Sequence, residues 1–544
     1  MARPGHDPEL MERYRAAGWW SDRTVSDEVR RWAGLRPEAV AYHWLDADGG
    51  AAELSWAAYD AAADRMASDL LHQGVRRRDR VLVLLPDGGA VHTAFLACER
   101  AGLVAVGVGW RAGRQEVDHL LERTDAAAVV TAADTRLGPV DELHLPTRRV
   151  VLDDLDDPGS WSRAHPGSPS ISGTQPIGPD ELWLLNSTSG TTGLPKCVMQ
   201  TQNRWRYFHH KAVDFGGLGP DEVWMSLVPA PFGFGLWTAH VTPTLLGVPC
   251  VVQARFDAQA AARAIRRHQV TVLCAVSSQF VMLLEEADAA DLDSLRVLFT
   301  GGEAISPARA AEFENRAGCT ILNFYGSNET GLLSGTRFDD PAERRHRTGG
   351  RTVSEMQVRL YDAVTGERLP DDRGEGVPAC RGPAVALGYW DDDGANAQLF
   401  GDDGWMRMGD IVTIDDDDWL RVVGRTSDFI IRGGKNISAA RVEQEVSAHP
   451  AVALAAAVPV PDPRLGEKVG VFVETRSGMS LDLAELRRHL DARGVSREWW
   501  PEHVWTVDDL PRASGGKVAK AQLRDRAAQL SEGVSSESQP RGSG

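Results

Sequence analysis

A chain of 544 residues with 42% hydrophobic and 25% charged side chains has globular proportions and room for more than one domain. Its formal net charge of −18 argues against a nucleic-acid polyanion as main partner, while leaving open a local basic pocket for one nucleotide. The six scattered cysteines form no CxxC pair, so the sequence suggests neither a zinc site nor a disulfide framework, and reduced thiols in a cytoplasmic setting are expected. The start, MARPGHDPELMERYRAAGWW, lacks the basic and apolar regions of a signal peptide, and no apolar run is long enough to cross a bilayer.

From about residue 7 to 150 the pattern alternates between helix and strand. ELSWAAYDAAADRMASDLLHQGV has helical apolar spacing and stops at Gly74, DRVLVLLPD is a short apolar strand, and GGAVHTAFLACERAG is helical again. LVAVGVGW and AAAVVTAAD read as further strands, so a mainly parallel sheet covered on both faces is expected. Asp156 to Asp180 is rich in Gly, Ser and Pro and reads as a loop between subdomains. A second series follows: strands EVWMSLVPA, VPCVVQ, VTVLCAV, LRVLFTGG and TILNFYGS, with helices around Trp237–Leu246 and over Ala258–His268, Gln279–Glu286 and Pro307–Ala317. Past Gly350 short strands and turns predict a small β subdomain. After Arg425 an α+β unit of domain size follows, with helices over Ala440–Ala448 and Leu481–Arg493. The expected organisation is α/β: residues 1–425 as a large core of two αβ-layered subdomains plus a β subdomain, 426–530 as a small mobile α+β domain, and 531–544 as a disordered tail.

Between the two αβ series lies NSTSGTTGLPKCVM, which follows the apolar strand ELWLL. Glycines let backbone N–H groups turn toward an anion, hydroxyls donate further bonds, and Lys196 adds a point charge. That composition suits phosphate, although the spacing is not the GxxxxGK[ST] of P-loop NTPases. Taken alone, the stretch reads equally well as a polar surface turn.

Further motifs follow in order: NFYGSNETG at 323–331, GEGVPACRGPAVALGYW at 374–390, GWMRMGD at 404–410, GRTSDFIIRGGKNIS at 424–438 and LPRASGGK at 510–517. Together with the loop they resemble the adenylate-forming superfamily of acyl-CoA synthetases, aryl-acid AMP ligases and nonribosomal adenylation domains, over nearly the whole chain. The resemblance implies attack of a carboxylate on the α-phosphate of ATP, release of pyrophosphate, and displacement of AMP by a thiol or other nucleophile. Such a reaction crowds anionic oxygens together, so charge stabilisation and positioning dominate it.

The same resemblance implies the roles of individual residues. Thr188, Ser189, Gly190, Thr191, Thr192, Gly193 and Lys196 grip the β- and γ-phosphates. Glu329 holds Mg²⁺, for which a carboxylate is a fitting hard ligand. Asn323, Tyr325 and Gly326 line the adenine site with Gly302, Glu303 and Ala304, and Asn328, where the family usually has Thr, keeps an amide for an oxyanion. Asp410 accepts from the ribose hydroxyls, assisted by Arg425. Lys517 reaches the α-phosphate and the carboxylate from the small domain, and after its rotation Gly433 and Gly434 flank the thiol tunnel; the hinge matches Ser427. Taken singly, Lys196 and Lys517 read as surface lysines, Glu329 as a helix-terminal acid and Asp410 as a turn residue.

The segment VPAPFGFGLW carries no acid to meet an α-ammonium, which disfavours amino acids. Phe232, Phe234 and Trp237, with Gly233, Gly235 and Ser327 beside them and Gly301 and Gly326 leaving room for a ring, are expected to form a flat slot for an aromatic or cyclic acid, as in benzoate-type CoA ligases. A medium-chain acid is the alternative, and the aromatics also read as plain core. RYRAAGWWSDRTVSDEV is similar to the entry of dihydroxybenzoate-type AMP ligases and cyclohexanecarboxylate-type CoA ligases. The implied cofactors are ATP, Mg²⁺ and CoA, or a carrier-protein phosphopantetheine. The implied partners are a small carboxylic acid and CoA or a carrier protein, with the enzyme a monomer or homodimer. An unusual acceptor such as nitrite with an aryl amine, kept open by Phe232, Asn328 and Cys197, and a non-catalytic nucleotide-binding regulator complete the alternatives.

Overall fold

Two large sheets are built from strands between Val40 and Thr352 in the computed structural model, which describes residues 7–45, 51–162, 171–187, 195–303, 305–363, 365–401, 403–425, 429–433, 435–512 and 518–536. One has six strands, in the order Cys197–Gln200, Leu184–Ser187, Val104–Gly107, Arg80–Leu84, Ala128–Ala132 and Arg149–Leu152. All its pairings are parallel except that of Cys197–Gln200 with Leu184–Ser187. The other has nine strands and is built mainly from the second αβ series. Its parallel centre runs through Thr320–Ser327, Val297–Gly301, Val272–Cys274, Trp224–Ser226 and Cys250–Gln253. These mostly buried strands, rich in apolar residues, match burial on both faces, since helices cover parallel sheets.

The predicted helices Ala258–His268 and Pro307–Ala317 form with the expected bounds. Each has a local start signal: the Asp257 carboxylate accepts from Ala260 N, and Pro307 occupies the first turn. The helical stretch near Trp237 runs from a short α-turn, Gly233–Gly235, through a π-turn over Leu236–Val241 into the α-helix Thr242–Leu246. An N-terminal hairpin, Val40–Leu45 and Ala51–Ser55, joins the nine-stranded sheet beside Cys250–Gln253, so the chain visits both sheets in its first stretch. That crossing was not read from the sequence, nor was the strand Arg149–Leu152.

A five-stranded sheet contains Gln357–Tyr361, Gly374–Arg381, Met406–Arg407, Asp410–Ile414 and Leu420–Arg425, matching the expected β subdomain. The last sheet combines Phe429–Arg432, Lys435–Ser438, Val452–Asp462, Gly466–Thr475 and His503–Val507. A final helix, Lys520–Ser536, extends into the stretch from Ser531 that was expected to lack structure. Arg512 reaches from the last unit to the core, its Nη1 donating to Ser278 Oγ at 2.6 Å. Among the described residues no helix is long and apolar enough to cross a membrane.

Candidate functional site

The strand Thr320–Ser327 ends at the C-terminal edge of the nine-stranded sheet, where open α/β sheets present their crevices. Tyr325, near that end, donates its hydroxyl to Asp410 Oδ2 at 2.8 Å, and Arg425 Nε donates to Asp410 Oδ1 at 2.9 Å. Asp410 and Arg425 sit directly opposite each other on antiparallel strands, which explains the pair. Burial, then the Asp410 charge, pushes the Tyr325 phenol well above its ordinary range, so it stays a donor. Asn323 commits its amide nitrogen to Thr348 O at 2.7 Å.

The turn after the strand is organised by Ser327, whose Oγ accepts from Glu329 N at 3.2 Å and Thr330 N at 3.1 Å. Ser327, expected beside the acid pocket, therefore directs its hydroxyl to this turn. Glu329 is half-buried, and its Oε1 accepts from the Tyr389 hydroxyl at 2.9 Å. Lys196 Nζ stands 4.8 Å from the centroid of the same Tyr389 ring.

Asn328 does not offer its amide to this cleft. It forms a reciprocal pair with Asn186, at 2.9 and 2.8 Å, and Gln200 Nε2 donates to both residues. Its Oδ1 also fills the space beside Gly233, where an added Cβ would stand 2.6 Å away. The expectation of an amide facing an oxyanion is thus corrected: the longer Asn reaches a buried amide partner. Beneath this pair Arg204, 1% exposed, donates to the carbonyls of Ala384, Asn328 and Glu329 at 2.7, 2.9 and 3.0 Å and also bonds Gln200. Burial pulls the Arg204 pKa down to about 9 against the opposing effect of Glu329.

The aromatic segment runs from Phe232, which caps the turn Gly233–Gly235, into the π-turn that holds Trp237. Trp237, 1% exposed, stacks on Phe208 at 4.5 Å and Phe234 at 5.7 Å and meets Phe299 edge-on at 5.6 Å. It belongs to a buried aromatic stack, whereas Phe232 and Phe234 are half-buried. Gly301 and Gly326 do not leave room for a ring. A Cβ on Gly301 would lie 2.4 Å from Phe324 O and one on Gly326 1.7 Å from Gly331 O, so close backbone approach dictates both glycines. Gly235 has the same cause, with Pro229 O at 2.0 Å.

Gly302 has φ +76° and precedes Glu303, whose Oε2 accepts from Ser278 N at 3.0 Å. Glu303 Oε1 is buried without a hydrogen-bond partner among the described residues. Gly433, φ +59°, is exposed and donates its N–H to Leu465 O at 2.7 Å. Thr188, Ser189, Gly190, Thr191, Thr192, Gly193, Ala304, Ser427, Gly434 and Lys517 lie outside the described residues.

Tyr389, Arg204, Asn186 and Gln200 were missed by sequence reasoning. Tyr389 carried a signal, since it ends the quoted GEGVPACRGPAVALGYW stretch. Arg204 carried none, because an arginine in the helix Gln202–Gly216 reads as a surface residue.

Residues 29–390 match the family model described as AMP-binding enzyme, and residues 441–517 match that of the AMP-binding enzyme C-terminal domain. The 2-hydroxy-7-methoxy-5-methyl-1-naphthoate–CoA ligase of Streptomyces carzinostaticus is 32% identical, covering 96% of this chain and 97% of its own. The salicyl-AMP ligase / salicyl-S-ArCP synthetase of Mycobacterium tuberculosis is 34% identical, covering 94% and 92%. Among solved structures, the o-succinylbenzoate coenzyme A synthetase of Bacillus subtilis in complex with ATP and magnesium ion is similar with a TM-score of 0.76 and 25% identity, over 92% of this chain and 99% of that one.

Proposed function

We propose, from the premise that the chain belongs to the AMP-binding enzyme family, that it joins an aromatic or cyclic carboxylic acid to the thiol of CoA through an acyl-adenylate. A carboxylate oxygen attacks the α-phosphorus of ATP, the bond to the β-phosphate breaks, and pyrophosphate leaves. A thiolate sulfur then attacks the acyl carbon and AMP departs with the bonding electrons. The observation that carries this reading is the end of the strand Thr320–Ser327. It brings Tyr325 onto Asp410 and, in the next turn, Glu329 onto Tyr389 beside Lys196.

Asp410 is our candidate for the ribose hydroxyls. It already accepts from Tyr325 and Arg425, and an ionised carboxylate has about four lone-pair sites, which leaves acceptors for a diol. The magnesium site fits this chain's chemistry. Among the described residues no group of three or more His, Cys, Asp or Glu is placed to hold a metal, and magnesium bound by one carboxylate plus phosphates and water needs none. Glu329 would hold the ion, which when bound neutralises phosphate charge. Thr188–Gly193 and Lys196 would hold the outer phosphates, Asn323 the adenine, and Phe232 and Phe234 the acid. Lys517 would serve the α-phosphate from a mobile small domain beginning near residue 426, with Gly433 and Gly434 on the thiol side. On this reading the enzyme works in the cytoplasm as a monomer or homodimer.

A second reading has the acyl group passing to a carrier-protein phosphopantetheine. The similarity to the salicyl-AMP ligase / salicyl-S-ArCP synthetase favours it specifically. An acid panel assayed for pyrophosphate release, with and without CoA, and mass spectrometry of the products separate the two. CoA thioesters are expected for aromatic or cyclic acids, and an AMP ester that persists in CoA would support the carrier reading. No release with any acid would refute the ligase. Lys517→Ala should abolish adenylate formation while ATP still binds.

A further inference from the structure

Tyr389 touches two residues to which the proposed function gives phosphate chemistry, yet that function leaves Tyr389 itself without a role. Its hydroxyl is 2.9 Å from Glu329 Oε1, and its ring face lies 4.8 Å from Lys196 Nζ. A phenol is protonated at neutral pH and donates this hydrogen bond to the carboxylate.

The backbone under Tyr389 is unusually well tied. Tyr389 bridges Val198, Met199 N donates to Gly388 O at 2.8 Å, and Trp390 N donates to Cys197 O at 2.8 Å. The Asn396 side chain accepts from Tyr389 N at 2.7 Å and donates to Tyr389 O at 2.8 Å. Gly388 before it has φ +106°, and a Cβ there would stand 2.5 Å from Asn396 Oδ1. The residues 387–390 are thereby fixed to the strand Cys197–Gln200, which begins right after Lys196.

We propose that Tyr389 is a positioning residue that orients the Glu329 carboxylate for magnesium and holds the Lys196 ammonium beside it. The proposal rests on the assignment of Glu329 and Lys196 to Mg²⁺–ATP. A hydrogen bond to Oε1 selects one carboxylate rotamer and leaves Oε2 as the more basic oxygen for a hard cation. The ring face attracts the ammonium electrostatically and holds it on the Glu329 side of the loop. A hydrogen-bond donor that orients a metal-binding carboxylate typically changes metal affinity ten- to a hundredfold.

The test uses the full chain with Tyr389→Phe, which keeps the ring and removes the hydroxyl, and Tyr389→Leu, which removes both. ATP binding is measured by calorimetry in magnesium and in EDTA, alongside thermal melting of each protein. Tyr389→Phe should reduce the magnesium-dependent gain in ATP affinity about tenfold and leave the EDTA value unchanged. In pyrophosphate exchange the magnesium needed for half-maximal rate should rise about tenfold, with the rate recovering at saturating metal. Tyr389→Leu should also weaken ATP in EDTA, by about threefold. A Tyr389→Phe protein with the wild-type magnesium gain overturns the proposal, as does an equal loss in magnesium and EDTA, which marks a packing role alone. Wild-type protein that binds no ATP in either condition would instead overturn the functional reading, and the proposal with it.

Discussion

Replacing Asp410 with Asn tests the nucleotide assignment with little change of shape. Asp410 is 8% exposed and takes one hydrogen bond on each oxygen, from Arg425 and from Tyr325. Arginine is donor-only, so the Asn oxygen must face Arg425, and the amide nitrogen then faces the tyrosine hydroxyl. That hydroxyl can turn to accept, with Met408 Sδ 3.7 Å away for its proton. The fold loses chiefly a half-exposed ion pair, whose Arg425 side chain is 46% exposed, worth about 0–1 kcal/mol. The proposed ribose contacts lose much more, because hydrogen bonds to a charged acceptor contribute roughly 1.5–3 kcal/mol each. With two such bonds weakened, a loss of about 2–4 kcal/mol lowers kcat/KM for ATP roughly 30- to 1,000-fold. The assay is acid-dependent ATP–pyrophosphate exchange against ATP concentration, with a thermal melt of the same sample. A kcat/KM within about threefold of wild type, with an intact melt, would refute the assignment of Asp410 to the ribose.

Arg204→Met removes the buried donor of Ala384 O, while Asn328 O keeps Gln200 Nε2 at 3.3 Å and Glu329 O keeps Ala386 N at 2.7 Å, so it should cost about 1–3 kcal/mol in denaturant unfolding. Gly301→Ala should destabilise by about 1–3 kcal/mol, because its Cβ meets a backbone oxygen on the neighbouring strand rather than an open pocket; an unchanged melt would restore the pocket role. His92 and His240 face each other with Nδ1 atoms 3.3 Å apart, and burial lowers the pKa of His240 to about 3 and that of His92 well below its ordinary value. The unfolded chain takes up protons that the fold refuses below about pH 6.5, so these histidines make stability fall as pH drops from there toward 3. Asp87 and Glu99, each raised to about 7 by burial, act oppositely, since the fold holds their protons while the unfolded carboxylates ionise. His240→Phe should therefore flatten the fall by up to about 1.4 kcal/mol per pH unit in urea titrations between pH 6.5 and 5, relative to wild type.

Local signals were enough for much of this protein. The helices Ala258–His268 and Pro307–Ala317 carry their periodicity and start signals in neighbouring residues, and the ordered motifs pointed to adenylate chemistry. Asp410 and Arg425 were singled out because both lie in recognisable motifs, but their pairing across antiparallel strands was not read. Contacts between distant segments were not legible either. Asn328 read as an amide for an oxyanion until Asn186, 142 positions away, was found to hold it. Gly301 and Gly326 read as space for a ring, whereas backbone oxygens from adjoining strands occupy that space. Sequence alone determined many of the helices and strands and the kind of chemistry, because helix periodicity, capping and motif composition act over a few residues. Only the tertiary structure decided that Tyr389 meets Glu329 and that the N-terminal hairpin closes the nine-stranded sheet. Those partners depend on how strands and helices pack across the whole chain, and no short window of sequence specifies that.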